Sequence, residues 1–529
     1  MIFDASVKKP DPNKTYDICI VGTGATGLAM ANAFIANKKS VVVLESSIAN
    51  VRKSPRPDWH HRYDDDDVQP IYGGEMNTAA KDTIANAWEF LLSSRIRCYG
   101  GTTNCWEGWT QPLSDLDFDR SGLDPNLCKW PIKPREMDFY YNHAMAYCSV
   151  GLLDATSYGK PGLWIDQAKR YGGTVIELLS LLPGPANLES RAILQIGGRD
   201  DSKRDPLTDG GWDFQWVWGR YVEKDPDVTI YRNANVRRVV SKDGGKSVDH
   251  LEVSTTRNKR PGDNFTVKAK NFVLAASCVE NARLLLHSAG TGIDGGPALG
   301  RYLMTHPLIK RAATFKWVKG KISDGVDHFY LGSGPTIART DIHPNVFAVL
   351  VPNPQEVQSR SYGNFRAWFG FEREAVNFCC EQLPYAGNRV EIFPDRLKDP
   401  VFDDPAASVT LSLQPKDWTT IANGIDLVKR VMQDNNKYIT DFSSKYLNDK
   451  SPKTEDEMVL LTGQHAMGST RMSDNPQYGV VNKDCRMHKV NNLYLAGGSV
   501  FPTGGWANPT LTMIALALRL AEHLGAKLD

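Results

Sequence analysis

The chain has 529 residues, enough for two large domains or three small ones. Its hydrophobic content of 41% and charged content of 23% are ordinary for a globular protein. The 62 basic and 61 acidic residues leave a net charge of +1, so charge gives no support for a nucleic-acid partner or an anionic membrane surface.

The N-terminal segment and the cysteines indicate the compartment. Met1–Pro10 lacks a long apolar core and a small-residue cleavage site, so we expect no signal peptide. No run of about 18 apolar residues is present, so no spanning helix is expected. The nine cysteines show no C-x-x-C or C-x-x-C-H spacing, which disfavours a zinc site, a thioredoxin-type site and covalent haem. We therefore expect reduced thiols, a cytoplasmic protein and no resident metal.

The first 45 residues have the pattern of a βαβ unit. An apolar, β-branched run predicts a strand over Tyr16–Val21, and the glycine loop Gly22–Gly27 follows at once. Helical character continues from Leu28 to Asn37, and Ser40–Glu45 reads as the next strand.

The glycine loop has the spacing G-x-G-x-x-G. Gly22 allows a tight turn, Gly24 lets a pyrophosphate approach the backbone, and Gly27 lets the helix pack on the strand. Glu45 ends the second strand, where an acidic side chain can accept from a ribose hydroxyl. The pattern predicts dinucleotide binding without separating FAD from NAD, and a packing turn without ligand is the alternative.

The middle of the chain is less informative. The acidic run Asp64–Asp67 has no ligand spacing and favours a solvated loop over a cation site. Tyr99–Gly108 is a glycine-rich turn with polar residues between aromatic ones. From about residue 307 to residue 455 the sequence pattern indicates mainly β-strands with some helix. The elements expected in this part of the chain are strands at Val228–Tyr231, Val236–Val240, Phe272–Ala276, Val346–Val351 and Ser408–Leu413, and helices at Glu280–Leu286 and Ile421–Met432.

The C-terminal segment combines a strand, a loop and a helix. Asn491–Ser499 reads as a strand, and a loop follows it up to Asn508. Asn508 is a suitable N-cap and Pro509 a suitable first helical residue, and Gly525 is a plausible stop. Asn508 could serve only as a cap. Alternatively, a helix N-terminus aimed at a flavin ring would place Asn508 at the edge where substrate binds.

His465 lies in a loop of small and polar residues rather than on an apolar helical face. One interpretation is a core histidine whose hydrogen bonds are satisfied. The other is a general base, because imidazole titrates near neutrality and can take a hydroxyl proton while hydride leaves the same carbon.

Taken together, the motifs resemble those of glucose-methanol-choline (GMC) oxidoreductases. They occur in the family's order over nearly the whole chain: Gly22–Gly27 with Glu45, Tyr99–Trp106, Gly300–Pro307, His465–Met472, Ala496–Thr503 and Ala507–Thr512. The resemblance implies an α/β fold, with a Rossmann-like FAD-binding domain and an α+β substrate-binding domain on a mainly antiparallel sheet. The implied FAD-binding domain is discontinuous (1–155, 225–306 and 462–529), and the substrate-binding domain comprises 156–224 and 307–461.

Within the family, the chain most resembles pyranose oxidases and bacterial glycoside oxidases such as C-glycoside 3-oxidases. That branch pairs a histidine with an asparagine, as His465 and Asn508 would here, and Ser361–Gly363 is similar to its substrate-covering loop. Fungal members attach FAD covalently through a histidine, but this chain has Cys105 at that place. We therefore expect non-covalent FAD.

The resemblance also implies a site. FAD would contact Gly22, Gly24, Thr26, Gly27, Glu45, Thr103, Asn104, Cys105, Val236, Gly498, Asn508 and Thr510. His465 and Asn508 would be catalytic, and Tyr362 and Trp506 would face the substrate. Other aromatic residues between 320 and 390, such as Phe365 and Trp368, could stack on a sugar or belong to a core.

The implied reaction is FAD-dependent oxidation of a secondary hydroxyl, at C2 or C3 of a sugar or an O- or C-glycoside, to a ketone. His465 would act as base, hydride would pass to flavin N5, and oxygen or another acceptor would reoxidise the flavin. One alternative is a dehydrogenase that passes electrons to a quinone or cytochrome. Another is a flavin-binding protein with a degenerate site. The sequence does not fix the oligomeric state.

Overall fold

The computed structural model describes fourteen stretches of the chain, and all structural statements below refer to them. They are residues 1–47, 74–76, 97–104, 108–148, 188–198, 219–258, 260–317, 330–333, 343–360, 363–370, 374–433, 439–447, 460–462 and 465–528. The acidic run Asp64–Asp67 and the predicted site residues Cys105 and Tyr362 lie outside them.

The strands of these stretches are numbered in chain order. They are β1 (Ile2–Asp4), β2 (Thr15–Val21), β3 (Val41–Leu44), β4 (Gly74–Met76), β5 (Trp109–Thr110), β6 (Leu188–Gly198), β7 (Val228–Arg232), β8 (Asn235–Lys242), β9 (Ser247–Arg257), β10 (Arg260–Leu274), β11 (Pro307–Trp317), β12 (Tyr330–Ser333), β13 (His343–Pro352), β14 (Phe365–Gly370), β15 (Ala375–Cys380), β16 (Arg389–Ile392), β17 (Ala407–Thr410), β18 (Ile439–Ser443), β19 (Leu460–Thr462) and β20 (Leu493–Leu495).

The α-helices longer than one turn are numbered in the same way. They are α1 (Ala25–Ala33), α2 (Pro134–Tyr147), α3 (Cys278–His287), α4 (Pro354–Arg360), α5 (Pro415–Gln433) and α6 (Thr510–Leu528). Within the described stretches, no helix is both long enough and apolar enough to cross a membrane.

The first sheet contains six parallel strands in the order β1-β7-β3-β2-β10-β20. All four residues of β3 and the last four of β2 are apolar and buried, as expected for a parallel sheet covered on both faces. Helices α1 and α6 pack against each other, and both belong to the same core as these strands. The N-terminal half of β10 leaves this layer and forms an antiparallel extension with β9 and β8. The arrangement confirms the Rossmann-like α/β prediction.

The second sheet is antiparallel and has nine strands. Its main path runs β18-β11-β15-β14-β13-β6-β5, with β12 on β13 and β19 on β11. A third sheet is small and has the order β16-β17-β4. The mainly β character expected beyond residue 307 is thus confirmed, while the domain boundaries stay a prediction.

The two faces of the second sheet have different neighbours. Side chains alternate along a strand, so Phe365 and Ala367 of β14 point to one face and pack in a core with α5. On β13, Val349 and Val351 belong instead to a small cluster around Trp506, against which Trp368 of β14 packs. This opposite face therefore meets the C-terminal segment of the chain.

Two expectations about helix ends are wrong. The C-terminal helix does not end at Gly525 but continues to Leu528, and a side chain at Gly525 would meet open space. Helix α1 ends at Ala33 instead of Asn37 because Ala36 and Lys38 adopt left-handed backbone angles that no helix can contain.

Candidate functional site

The glycine loop joins the C-terminal end of β2 to the N-terminus of α1. Gly22 has φ +103°, and a Cβ there would lie 2.6 Å from the carbonyl oxygen of Ala275. A Cβ at Gly27 would lie 2.0 Å from the carbonyl oxygen of Gly22, whereas a Cβ at Gly24 would meet no atom within 4 Å. Any side chain at Gly22 or Gly27 would therefore collide with a backbone carbonyl, whereas Gly24 faces open space beside the helix N-terminus.

Glu45 follows β3 and is buried at the same edge of the sheet. Its carboxylate accepts from the backbone N–H of Thr23 at 3.1 Å and also from the Thr23 hydroxyl, and it accepts from the N–H of Ser47 at 3.2 Å. Burial raises the pKa of Glu45, and these hydrogen bonds oppose the rise. The Ser46 hydroxyl also donates to it at 3.2 Å, so the roughly four acceptor positions of the carboxylate are occupied, and a ribose hydroxyl would take the place of one of these donors.

A second turn covers the glycine loop. The N–H of Gly100 donates to the Thr23 hydroxyl at 3.1 Å, and a Cβ at Gly101 would lie 3.1 Å from the Cα of Gly24. The turn Gly101–Asn104 follows, with the buried Thr103 hydroxyl donating to the carbonyl of Gly100. The predicted residues Thr103 and Asn104 therefore sit in a turn that adjoins the glycine loop.

The C-terminal segment returns to the same edge. Strand β20 pairs with β10, and a Cβ at Gly497 would lie 3.5 Å from the Thr26 hydroxyl oxygen. The carbonyl of Gly498 accepts from the N–H of Gly468, three residues after His465. Of the other predicted FAD contacts, Thr510 is the first residue of α6 and Val236 is the second of β8, and both are half-buried.

This geometry fits a bound dinucleotide. The loop offers open space at Gly24, backbone N–H groups at the N-terminus of the nine-residue helix α1, and the buried acid Glu45 at the end of the next strand. A helix N-terminus favours anions such as a pyrophosphate. The residues present therefore match what the ADP half of FAD requires.

His465 faces a second histidine, His306. An antiparallel bridge pairs Met304 with Met467, with hydrogen bonds of 2.8 and 2.9 Å in the two directions. His306 lies two residues after Met304, and His465 lies two residues before Met467. The antiparallel pairing therefore brings their imidazoles opposite one another, with the Nδ1 atoms 2.9 Å apart. The rings are nearly perpendicular, at 85°.

The contact between the two Nδ1 atoms needs one ring to donate and the other to accept, so it fits two tautomeric arrangements. The carbonyls of Gly504 and Gly505 favour a proton on His306 electrostatically, although neither reaches hydrogen-bond geometry with its buried Nε2. In the arrangement with Nε2 of His306 protonated, the neutral His306 accepts at Nδ1 and Nδ1 of His465 donates. Nε2 of His465 is then an unprotonated acceptor.

Both imidazoles are held neutral. Burial, with the nearby charge of Arg366, lowers the pKa of His306 to about 3. Burial also lowers the pKa of His465 well below its usual value, and His306 and Arg366 lower it further. His465 nevertheless keeps part of its surface accessible. Such a histidine stays neutral over a wide pH range, which leaves one ring nitrogen unprotonated.

Asn508 makes an unexpected contact. Its side-chain oxygen does not cap α6 but accepts a hydrogen bond from Nη1 of Arg366, on β14. A guanidinium only donates, so this contact favours the amide orientation in which Oδ1 faces Arg366, and Nδ2 of Asn508 has no hydrogen-bond partner among the described residues. The predicted N-cap contact was therefore wrong, because a charged donor in the second sheet takes the same oxygen.

The loop before Asn508 is held by a buried ion pair. Glu381 accepts from Arg120 at 2.9 Å and from the backbone N–H of Gly505 at 3.1 Å. Both charged side chains are almost fully buried, with exposed fractions of 2% and 0%. Trp506 follows directly and is buried against Val349 of the second sheet. The predicted substrate residue Trp506 thus forms part of the wall between the second sheet and this loop.

Sequence reasoning missed the roles of His306 and Arg366. His306 stands inside the motif Gly300–Pro307, and the pairing of that motif with His465–Met472 was the signal that could have exposed it. Arg366 lies one residue from Phe365, and only strand alternation distinguishes the two faces. Of the aromatic residues that could either stack on a sugar or belong to a core, Phe365 belongs to the core with α5, whereas Trp368 lies on the side of the sheet that faces Asn508.

Comparison with known proteins gives consistent results. Residues 384–517 match a family profile described as GMC oxidoreductase. The chain is 24% identical to a 2-methyl-1,2-propanediol dehydrogenase of Mycolicibacterium austroafricanum, over 97% of this chain and 95% of the relative. It is 28% identical to a C-glycoside 3-oxidase of Microbacterium trichothecenolyticum, over 96% of both chains.

A solved structure shares the fold over nearly its full length. The structure of a formate oxidase superposes with a TM-score of 0.62 at 14% sequence identity, covering 98% of this chain and 99% of the other. At this identity the likeness concerns the fold alone.

Proposed function

We propose that this chain is an FAD-dependent oxidoreductase of the GMC family and that it oxidises a secondary hydroxyl, at C2 or C3 of a sugar or glycoside, to a ketone. One observation supports the proposal: the 2.9 Å contact between the Nδ1 atoms of His306 and His465, which leaves Nε2 of His465 as a proton acceptor when Nδ1 of His465 is the donor. When bound, FAD supplies a hydride acceptor at N5 and passes the electrons to oxygen or another acceptor.

The catalytic pair divides the work on one oxygen. Nε2 of His465 takes the hydroxyl proton, and the resulting imidazolium keeps its charge because the buried His306 does not accept a second proton at neutral pH. Nδ2 of Asn508 donates to the same oxygen as negative charge develops on it. Arg366 holds that amide in the donating orientation. The degenerate-site alternative is disfavoured by this arrangement, since both side chains have the hydrogen-bonding state that catalysis needs.

The substrate class rests on the relatives and on the apolar wall beside the pair. A C-glycoside 3-oxidase and a 1,2-diol dehydrogenase are among the relatives matched over almost the whole chain. Trp368 is half-buried against Trp506, and its ring is of the kind that packs against the C–H face of a sugar ring.

Anaerobic flavin bleaching tests the proposal. The purified protein is mixed without oxygen with free sugars, O-glycosides and C-glycosides, and the loss of flavin absorbance is followed. We expect bleaching with at least one class, together with a ketone at C2 or C3 of the product. Bleaching only by primary alcohols, or by none of the panel, would contradict the proposal.

The electron acceptor and the attachment of FAD need separate measurements. Hydrogen peroxide formation compared with reduction of a quinone or dye distinguishes an oxidase from a dehydrogenase. We further propose that FAD is non-covalent because Cys105 occupies the position of the linking histidine in fungal pyranose oxidases. Acid precipitation should release all yellow colour into the supernatant, and colour that stays with the polypeptide would refute this.

A further inference from the structure

Arg366 differs from the other deeply buried arginines. Arg120 pairs with Glu381, and Arg283 pairs with Glu280 at 2.8 Å. Arg471 has three backbone carbonyls as acceptors, those of Leu127, Tyr478 and Pro502. Arg366 is only 9% exposed, yet across the described stretches no carboxylate lies within ion-pair distance of it.

The partners of Arg366 are weak for a buried cation. Its guanidinium donates to Asn508, lies 5.7 Å from the centre of the Trp368 ring, and contacts the Cys379 thiol. A guanidinium has five donors and no acceptor, and burying its charge without an anion is costly. Its charge lowers the pKa of both His306 and His465, so it lies close to the histidine pair as well as to Asn508.

We propose that Arg366 is a subsite for the oxygen substituent on the carbon next to the one oxidised. The inference rests on the proposed function, in which Nδ2 of Asn508 meets the reacting oxygen. Because Arg366 donates to Oδ1 of the same amide, we assign its remaining donors to the oxygen on the neighbouring carbon. The substrate class is therefore a compound with vicinal oxygens, in which the second substituent is a hydroxyl, a carbonyl or a carboxylate.

The charge of Arg366 also excludes a class of substrate. An ammonium group in this position has no lone pair to offer and is repelled by the guanidinium. The apolar wall formed by Val349, Val351, Trp109, Trp368 and Trp506 supplies no counter-charge. Amino sugars with the protonated amine next to the reacting carbon should therefore be rejected, while the neutral acetamides should be accepted.

Matched glycosides test the subsite. The product of methyl glucoside first identifies the oxidised carbon, and the nitrogen is then placed on its neighbour, at position 2 for C3 oxidation and position 3 for C2 oxidation. At pH 6 we expect kcat/KM for the amine to fall below that for the acetamide by roughly 10²-fold, the scale of two unit charges a few ångströms apart near a protein surface. Equal values for the two compounds would overturn the proposal.

Variants separate charge from size. Arg366→Gln should lower kcat/KM for methyl glucoside and reduce the discrimination between amine and acetamide to a few-fold, whereas Arg366→Lys should keep it. The exposed arginine of β8 gives the matched control, and Arg238→Gln should change neither value. Discrimination that persists unchanged in Arg366→Gln would assign it to another group.

A third measurement does not depend on turnover. If no sugar bleaches the flavin, the proposed function fails, but the subsite can still be tested with acetate as the probe. We expect acetate to perturb the flavin absorption spectrum saturably in the wild type, and at least tenfold more weakly in Arg366→Gln. Identical titrations in the two proteins would show that Arg366 is not an acceptor-binding subsite.

Discussion

The glycine-loop edge of the first sheet and the Asn508-facing side of the second sheet contribute to the site in different ways. At the first edge, function depends on the backbone: Gly22 and Gly27 are required because a side chain would collide with a carbonyl oxygen. At the second, the proposed chemistry depends on single side chains, His306 and Arg366, which contact His465 and Asn508. Changes at the first should therefore abolish cofactor binding, and changes at the second should tune the chemistry.

The largest effect is expected at the glycine loop. In Gly22→Ala, the new Cβ would lie 2.6 Å from the carbonyl oxygen of Ala275 in a backbone conformation that alanine rarely adopts. We expect a protein without bound FAD and without activity, measured by flavin absorbance per polypeptide. Gly525→Ala is the matched control, because that Cβ meets no atom within 4 Å. Full FAD occupancy in Gly22→Ala would show that cofactor binding does not depend on the backbone of the glycine loop.

Gly24→Ala sharpens the same point. The added methyl group meets no protein atom within 4 Å, so the fold should be kept. If that open space holds the pyrophosphate, FAD affinity should fall while the circular dichroism spectrum stays the same. Unchanged FAD affinity would place the cofactor elsewhere.

The next effect concerns His465 itself. Removing the proton acceptor in His465→Ala should slow anaerobic flavin reduction by about 10²–10⁴-fold, while FAD stays bound. The control is His488→Ala, whose imidazole contacts the carbonyl of Ser473 and takes no part in the pair. Near-normal reduction in His465→Ala would remove the base assignment.

The His306 contact predicts a pH dependence. The base must be neutral, so kcat/KM rises with pH through the pKa of His465 and is flat above it. Since burial, His306 and Arg366 lower that pKa, the rise should occur well below pH 6.5 in the wild type. In His306→Asp, a carboxylate at Nδ1 stabilises the imidazolium, and the rise should move to higher pH by about one to three units.

A neutral acceptor provides the control for this shift. His306→Asn can still accept from Nδ1 of His465, so the rise should stay at low pH, and His306→Leu should lose rate at every pH because the tautomer is no longer held. The pH profile of kcat/KM for the three variants is the measurement. Superimposable profiles for the aspartate and asparagine variants would show that His306 does not act on the base.

The same contrast explains how much the sequence could predict. The βαβ unit, the glycine loop and Glu45 follow from local spacing, and the parallel sheet around them was predicted correctly. His465 and Asn508 were recognised as candidates through motifs. The roles of His306 and Arg366 depend on which strand registers meet and which face of β14 points inward, and such long-range pairing leaves no local periodicity that identifies one residue.

The smallest effect distinguishes the two faces of β14. Trp368 packs on the Asn508 side and Phe365 in the core with α5, three residues apart in sequence. Trp368→Phe should keep the melting temperature and raise KM by about three- to tenfold, because a smaller ring covers less of a sugar face. Phe365→Leu should leave KM unchanged and cost about 1–2 kcal/mol in free energy of unfolding. If both variants change only stability, the wall beside Arg366 is core, and substrate recognition falls to the polar groups alone.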